Sequence, residues 1–481
     1  MTSALGAAGE VAIASLIKRA PLASSLAQSF AAKGFRLALV GGPVRDALLG
    51  RLGNDLDFTT DAKPEDTKKI LQSWAENIWE IGIEYGTVAG KRGDTTVEVT
   101  TYRSESYDPE SRKPEVVYGE NIEGDLSRRD FTVNAMALEL TTKVPEFIDP
   151  FNGLEDLAKK ILRTPTKAEN SFSDDPLRMM RAARFASQLS FEIAPDVLQA
   201  IKDMAGRISI ISAERVRDEF TKILMSSHPR VGITILVETG LAEIVLPEIP
   251  KLRLEIDEHH HHKDVYEHSI TVLEQAIAHE ERLGGPNLTI RLASLLHDIG
   301  KPKTRSLIAG GGVSFHHHEI VGARLTKSRL KALRFDGETI EQVETLVALH
   351  LRFHGYGDGE WTDSAVRRYV RDAGELLTHL HVLTRADCTT RNVKKAERLA
   401  AVYDSLEARI AKLMEEEELS KIRPDLDGAQ VMSLLGIKPS AAVGDALDFL
   451  MELRLEHGPL GEERATKELL DWWSKENPAA K

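Results

Sequence analysis

Among 481 residues there is one cysteine, Cys388. No intrachain disulfide can form, and a reducing cytoplasm is the expected setting. No apolar stretch approaches the ~18–20 residues of a membrane span, so no membrane is expected among the partners. The N-terminus has small residues and a short apolar stretch, but Glu10 interrupts it and Lys18-Arg19 follow. It reads as a helix ahead of the first strand, not a secretory signal. Positive charge is also short, with 62 Lys and Arg against 75 Asp and Glu and a formal net charge of −13. That argues against coating of nucleic acid by the whole surface but leaves room for a local basic track. One such track runs from Ala158 to Lys222, with twelve Lys/Arg against nine Asp/Glu. The acidic surplus lies mostly in the C-terminal half, as in Glu415–Glu418, read as a solvated face or loop. No internal repeat is present. A hydrophobic content of 42% and a charged content of 28% are ordinary for a globular chain. The length exceeds one core, so roughly three or four modules are expected.

Residues 39–58 carry the most chemistry. A β-rich apolar run, Leu37–Val40, ends in Gly41-Gly42; a short amphipathic helix follows, then Asp55 and Asp57. In a strand, residues two apart face one side, so the two carboxylates point together, about 6–7 Å apart. Such a pair repels itself unless a divalent cation sits between its members. Hard oxygen ligands favour Mg²⁺, and two metals can serve an in-line phosphoryl displacement. Gly41 and Gly42 let the backbone approach a triphosphate. The helix opening near Pro43 adds N–H groups, and Arg45 adds a fixed positive charge. An isolated Asp-x-Asp is common on surface turns; this order of Gly-Gly, Arg45-Asp46 and Asp-x-Asp is not. Glu98, on the alternating stretch Thr95–Thr101, is either a third carboxylate facing the pair or a solvent-facing strand residue.

Two further segments add cationic and hydrogen-bonding groups. In Asp125–Leu138, Arg128 and Arg129 offer guanidinium forks for phosphate oxygens. Asp130 and Asn134 lie four apart, so on a helix they share a face and could hold a ribose hydroxyl. In Ser171–Phe185, Asp174 or Asp175 is expected to cap a helix whose first turn contains Pro176. Arg178, Arg181 and Arg184 then repeat every three residues. An acceptor–donor pair, Asp175 with Arg178, can match the hydrogen-bonding edge of a base, so that side chains select the nucleotide in place of a template strand.

The run from Gly41 to about Leu224 resembles the class II tRNA nucleotidyltransferase / poly(A) polymerase family of the DNA polymerase β-like superfamily. The likeness rests on Gly-Gly-x-Val-Arg-Asp, Asp-x-Asp, Arg-Arg-Asp-Phe-Thr-x-Asn-Ala, Asp149–Gly153, the Asp175/Arg178 pair and Ala213-Glu-Arg-Val-Arg217. The family commonly has Glu-Asp where this chain has Asp174-Asp175. The resemblance implies Mg²⁺ on Asp55 and Asp57, and nucleotide binding by Gly42, Arg45, Arg128 or Arg129, Asp175, Arg178, Arg181 and Arg184. It also implies attack of a primer 3′-hydroxyl on the α-phosphate with loss of pyrophosphate. The polar stretch Ser104–Gly124 resembles the flexible loop that CCA-adding members use when switching from C to A, and which CC-adding members tend to lack. The expected activity is addition of C, C and A to the tRNA 3′ end from CTP and ATP. The alternatives are a poly(A) polymerase and an HD phosphohydrolase whose head only binds RNA.

Farther along, His268, His297-Asp298 and Asp387 stand on expected helices. The order His…His-Asp…Asp resembles the HD phosphohydrolase superfamily. Imidazole and carboxylate ligands suit a transition metal (Mn, Fe, Ni, Co or Zn) better than Mg²⁺. His318-Glu319 and His350 could complete a second site or bind phosphate. His259–His262 reads as an incidental surface run with opportunistic metal affinity, and Ala309–Gly312 as a flexible loop.

Strands are expected at Leu37–Val40, Leu56–Thr59, Gly86–Lys91, Thr95–Thr101 and Val133–Glu139. Helical periodicity follows Asp156, notably through Leu177–Leu189, Val197–Met204 and Val216–Leu224. Pro247 and Pro250 punctuate the next boundary, and Gly436 and Gly458 mark turns in the tail. The expected architecture is α+β: a nucleotidyltransferase head with a small mixed sheet over residues 1–155, a helical neck over 156–250, an HD domain over 251–410 and a helical tail over 411–481.

Overall fold

The computed structural model describes residues 13–14, 17, 21–80, 86–106, 115–118, 121–253, 264–307, 313–353, 361–389, 392–417 and 423–476. The chain divides into two compact units, Met1–Pro247 and Glu248–Lys481.

The first unit is built on a seven-stranded mixed sheet of order β3-β4-β5-β2-β1-β8-β9. Its strands are β1 (Leu37–Val40), β2 (Asp55–Thr60), β3 (Asn77–Trp79), β4 (Thr87–Arg92), β5 (Thr95–Thr101), β8 (Ala137–Glu139) and β9 (Glu146–Ile148). β1 is buried along its whole length, as a central strand of Leu, Ala, Leu and Val should be. β2 and β5 run parallel, and the other pairs are antiparallel. The β2–β5 register sets Asp57 beside Glu98.

Two sequence expectations change here. Only the end of Val133–Glu139 is a strand, because Thr132–Asn134 forms a 3₁₀ turn. The Asp130 carboxylate drives this local exchange: it accepts from Phe131 N at 2.8 Å and from Asn134 Nδ2 at 2.9 Å, an arrangement that competes with strand pairing. Asp130 and Asn134 do meet, but across a turn and not on a helix face. The polar stretch Ser104–Gly124 contains an antiparallel pair, β6 (Arg103–Ser106) with β7 (Glu115–Tyr118). Residues 107–114 and 119–120 lie outside the described residues. β3 and β9 are too short and too exposed to show an alternating pattern.

Helices complete the unit. Leu177–Leu189 spans the periodic segment end to end, and Pro195–Met204 and Ala213–Leu224 contain the other two. The helix Pro229–Glu238 packs closely on Leu177–Leu189 through Gly232, whose N donates to Ser187 Oγ at 2.8 Å. A side chain at Gly232 would strike that hydroxyl.

Among the described residues of the second unit, the regular elements are helices apart from the short pair Ser306–Leu307 and Val313–Ser314. That pair flanks the expected loop at Ala309–Gly312, which lies outside the described residues, as does His259–His262. The expected boundary at 410 falls inside one continuous helix, Val393–Glu417. Its buried stripe of Tyr403, Leu406, Ile410 and Leu413 carries the helical period straight across that point. Beyond it, Gly428–Leu435, Ala441–His457 and Glu462–Glu476 share a small core around Val431, Leu450 and Leu469. Gly436 ends the first of them in the left-handed conformation, φ 62°. Among the described residues no helix is long and apolar enough to cross a membrane.

Candidate active sites: a carboxylate cleft and a histidine–aspartate cluster

In the first unit, β2 and β5 bring Asp57 and Glu98 to one cleft, together with Arg128 and Arg129. Asp175, Arg178, Arg181 and Arg215 line the same cleft. Asp55 stands at the exposed start of β2. Burial pushes the Asp57 carboxyl above its ordinary value; the Arg129 guanidinium opposes this, while the Glu98 and Asp55 charges push the same way. Three acidic groups with one raised carboxyl fit a hard divalent cation, which would relieve the repulsion.

Arg128 and Arg129 are both held from below by Asp125, which is almost fully buried, at 3.1 and 3.3 Å. The Arg129 guanidinium lies over Gly41, where φ is 73°. A Cβ there would meet only the movable end of Arg129, at 2.7 Å from Nη1, so the backbone angle is what requires glycine. Gly42 opens the helix Gly42–Leu48, with Pro43 in its first turn.

The expected nucleotide contacts divide into two groups. Arg45 is buried, donates to Asn134 Oδ1, and grips Asp46 through Nε and Nη2 at 3.1 and 2.8 Å. Its charge is committed to the protein and it is not among the cleft-lining residues. Arg184 is likewise buried and paired with Glu219 at 3.0 Å. Positions three apart on a helix drift by ~60° per step, so Arg184 has turned away from the face of Arg178. Arg181 remains at the cleft and donates from Nε to Asp130 Oδ2 at 2.8 Å. Burial alone would raise the Asp130 carboxyl, but Arg181 and the Asn134 amide hold it well below its ordinary value.

Asp175 and Arg178 face one cleft, and each is anchored by other partners. Arg178 Nη1 donates to Ser171 Oγ at 2.8 Å, and its Nη2 donates to the Arg128 carbonyl. Asp175 Oδ1 accepts from Leu177 N at 3.1 Å, and Oδ2 accepts from Arg215 Nη2 at 3.0 Å. Asp175 therefore satisfies a first-turn amide of Leu177–Leu189, while Asp174 ends the preceding helix, Ala168–Asp174, and does not cap. Asp125, Ser171 and Arg215 were not assigned a role from the sequence; each looks like an ordinary surface residue until its partner is known.

The second unit gathers six ligand-type side chains from five helices and their ends. His268, His297 and Asp387 form one group, and Asp298, His318 and His350 another. His268 Nε2 lies 2.9 Å from Asp387 Oδ1, and His297 Nε2 lies 3.2 Å from Asp298 Oδ2. His318 Nε2 lies 3.2 Å from Asp298 Oδ1, and His350 Nε2 lies 4.0 Å from it. Asp298 thus presents one oxygen to each group. Glu319 is not part of the cluster; its carboxylate lies 3.8 Å from His317 Nδ1.

The second ring nitrogens explain why the cluster is built to hold a cation. His297 Nδ1 meets the Ser294 carbonyl at 2.9 Å, His318 Nδ1 the Phe315 carbonyl at 2.7 Å and His350 Nδ1 the Val347 carbonyl at 2.7 Å. A carbonyl only accepts, so each Nδ1 donates outward and each Nε2 is the ring atom turned toward the cluster; a cation bound there would take the place of any proton on Nε2. Burial pushes His350 down to about 3, which keeps that imidazole neutral. Burial opposes ionisation of Asp298, but His297, His318 and Lys301 hold it well below the carboxylate range.

Sheet, cleft and arginine set define a nucleotidyltransferase. Residues 37–163 match the family model of the poly A polymerase head domain, 190–252 that of a probable RNA- and SrmB-binding site of polymerase A, and 265–416 that of the HD domain. The chain is 32% identical over 450 residues to the A-adding tRNA nucleotidyltransferase of Deinococcus radiodurans, covering 92% of this chain and 96% of that one. It is 42% identical over 230 residues to the CCA-adding enzyme of Lactobacillus helveticus, a match spanning 48% of this chain and 55% of that one. The structure of the Bacillus stearothermophilus CCA-adding enzyme in complex with CTP superposes with a TM-score of 0.68 at 25% identity, covering 95% of this chain and 98% of that one. The Thermotoga maritima CCA-adding enzyme complexed with tRNA shares the fold, with a TM-score of 0.59 at 19% identity. The chain belongs to the tRNA nucleotidyltransferase / poly(A) polymerase family and carries an HD domain.

Proposed function

We propose that this protein adds C, C and A to the 3′ end of tRNA, using CTP and ATP and no nucleic-acid template. One observation carries the reading: Asp57 and Glu98 share a cleft with Asp175 and Arg178, so a metal-binding carboxylate set faces a base-reading pair. The primer 3′-oxygen bonds to the α-phosphorus, the bond from α-phosphorus to the bridging oxygen breaks, and pyrophosphate leaves. Asp55 and Asp57 hold Mg²⁺, with Glu98 beside them; when bound, the cation supplies charge neutralisation at the phosphoryl oxygens. Arg128 and Arg129 bind the triphosphate, with Gly41 and Gly42 admitting it. Arg181 and Asp130 brace this face, and Asn134 and Arg45 hold Asp130 and the glycine turn in register. The head, residues 1–155, carries the chemistry. The helical region from 156 to 250 reads the nucleotide and grips the acceptor stem by phosphate and shape contacts.

A specific observation favours a second reading, addition of A alone. A relative matched over nearly the whole chain is an A-adding tRNA nucleotidyltransferase. The polar stretch at 104–124 argues against CC-only addition and does not separate the other two. The test is incubation of tRNA lacking its 3′ end, and of tRNA already ending in CC, with CTP and ATP separately and together, followed by sequencing. Full CCA on the first substrate supports our reading; extension of only the second overturns it in favour of A addition.

The HD domain, within 251–410 and the end of the helix that crosses that boundary, is a second site in this proposal, and a hydrolytic one. His268, His297 and Asp387 hold one transition-metal ion (Mn, Fe, Ni, Co or Zn), with Asp298 reaching toward a second group formed with His318 and His350. A phosphoester is the matching substrate class. Metal analysis of the purified protein, together with phosphatase and cyclic-phosphodiesterase assays, tests it: a metal-free protein that gains no ion on incubation overturns it.

A further inference from the structure

Arg215 has no part in the reaction as set out above, yet it lines the cleft at the start of Ala213–Leu224. Its Nη2 donates to Asp175 Oδ2 at 3.0 Å, while the backbone N of Leu177 donates to Oδ1 at 3.1 Å. One donor comes from the helix that follows Asp175 and the other from a helix forty residues on. A carboxylate gripped at both oxygens by donors on separate elements cannot turn about its own axis without breaking one of them.

We propose that Arg215 is a specificity-determining positioning residue, fixing Asp175 as an oriented acceptor for the amino group of an incoming cytosine or adenine. The proposal rests on the reading of Asp175 and Arg178 as the base-reading pair. Cytosine and adenine both carry an exocyclic amino group on the edge used for pairing, where uracil and guanine carry a carbonyl oxygen. A fixed acceptor meets a donor in the first two and another acceptor in the last two, and mispaired polar groups in a closed site carry the larger share of discrimination.

Arg215 contributes a second way. It is a cleft-facing donor, and a free guanidinium N–H would match the carbonyl oxygens of uracil and guanine. Binding Asp175 commits the Nη2 N–H to that carboxylate. Specificity often depends on such removal of a wrong match. Arg178 is anchored separately, by Ser171 and the Arg128 carbonyl, so loosening Asp175 leaves the other half of the pair in place. The Arg215 side chain is 45% exposed. Exposed pairs add little to folding, so its removal is expected to leave a folded enzyme.

The experiment uses the full chain, with CTP on tRNA lacking its 3′ end and ATP on tRNA ending in CC, each compared with UTP and GTP alone on the same substrate. Arg215→Ala is expected to lower the kcat/KM ratio of the accepted nucleotides over UTP and GTP by about tenfold or more. tRNA binding and thermal midpoint stay near the parent values, and Arg215→Lys recovers part of the ratio. Arg215→Ala with the parent ratio, alongside Asp175→Ala that loses it, overturns the role of Arg215 and leaves the base-reading pair standing. An equal fall for all four nucleotides also overturns it, as a merely structural effect. If Asp175→Ala and Arg178→Ala keep the parent ratio too, the base-reading assignment itself fails, and this proposal with it. Should Arg215→Ala unfold, Arg215→Gln and Arg215→Lys carry the same comparison.

Discussion

Asp57 sits on β2 with Glu98 beside it on β5 and Asp55 two residues earlier. Burial and these neighbours raise its carboxyl, with Arg129 as the opposing charge. Without a cation this is an unfavourable arrangement retained for function. Asp57→Asn is therefore expected to stabilise the metal-free protein by about 1 kcal/mol while removing nucleotide addition by about a hundredfold or more. Thermal melts in chelator and a primer-extension assay check both halves. Asp130 has the opposite balance. Its carboxyl is held below the ordinary value by Arg181 and Asn134 against the effect of burial. A depressed carboxyl contributes stability that is complete above its unfolded value and is lost as pH falls through the folded one. Asp130→Ala is expected to cost about 2 kcal/mol at neutral pH, because it removes the charge-assisted bonds from Arg181 and leaves that guanidinium with Glu219 at 3.7 Å. The variant should also lose less stability than the parent below about pH 4, measured by denaturant titration at several pH values. At this scale the sequence was legible for placement at short spacing: Asp55 and Asp57 share β2, and Arg178 lines one cleft with Asp175. It was not legible for the surroundings of Arg45 and Arg184: Arg45 pairs with Asp46 and donates to Asn134, 89 positions on, and Arg184 pairs with Glu219, 35 positions on. No local pattern distinguishes a guanidinium aimed at phosphate from one committed to a buried acceptor.

Elements carry a different constraint, closeness of backbone. In the turn His297-Asp298-Ile299-Gly300, the backbone at Gly300 lies against the His318 carbonyl and Gly322 N, at the start of the helix His318–Ala332. Any Cβ at Gly300 would overlap that carbonyl. Gly300→Ala must push His318–Ala332 outward, and His318 is the residue that faces Asp298 Oδ1. The expected outcome is about 1–3 kcal/mol of destabilisation together with weaker metal binding in the second unit. Calorimetry and metal titration read the two effects; a variant with parent metal affinity would show that this contact does not set the position of His318. The helices were the readable part of this protein, because buried stripes such as that of Leu177–Leu189 repeat at the helical period. The turn at Thr132–Asn134 was not, since a single carboxylate, Asp130, diverts an apolar run from the strand its composition favours. A second site at His318 and His350 was expected, but not that Asp298 would face it. Their sequence positions reveal ligand chemistry but not that one carboxylate serves both groups.

The whole molecule holds two compact units, and each has its own ligand set. The first offers carboxylate oxygens, with Glu98 beside Asp57 in its cleft. The second offers four imidazoles with Asp298 and Asp387. Oxygen-only sites favour Mg²⁺, while nitrogen-rich sites favour first-row transition metals, so the two centres should differ in metal dependence. Replacing His297 and Asp298 together with alanine removes the residue that faces both groups and a histidine 3.2 Å from it. Removing either alone would leave a buried charge or imidazole without its counterpart, so the pair is replaced as a unit. We expect the double variant to lose bound transition metal and any phosphoester hydrolysis, and to retain nucleotide addition within about twofold, since sites with no shared partners are generally additive. Circular dichroism first establishes that it is folded. Metal analysis, a phosphodiesterase assay and extension of a truncated tRNA are then run on the same preparation. Loss of nucleotide addition in a folded double variant would mean that the histidine-rich unit takes part in polymerisation, and the assignment of separate chemistries to the two units would fail.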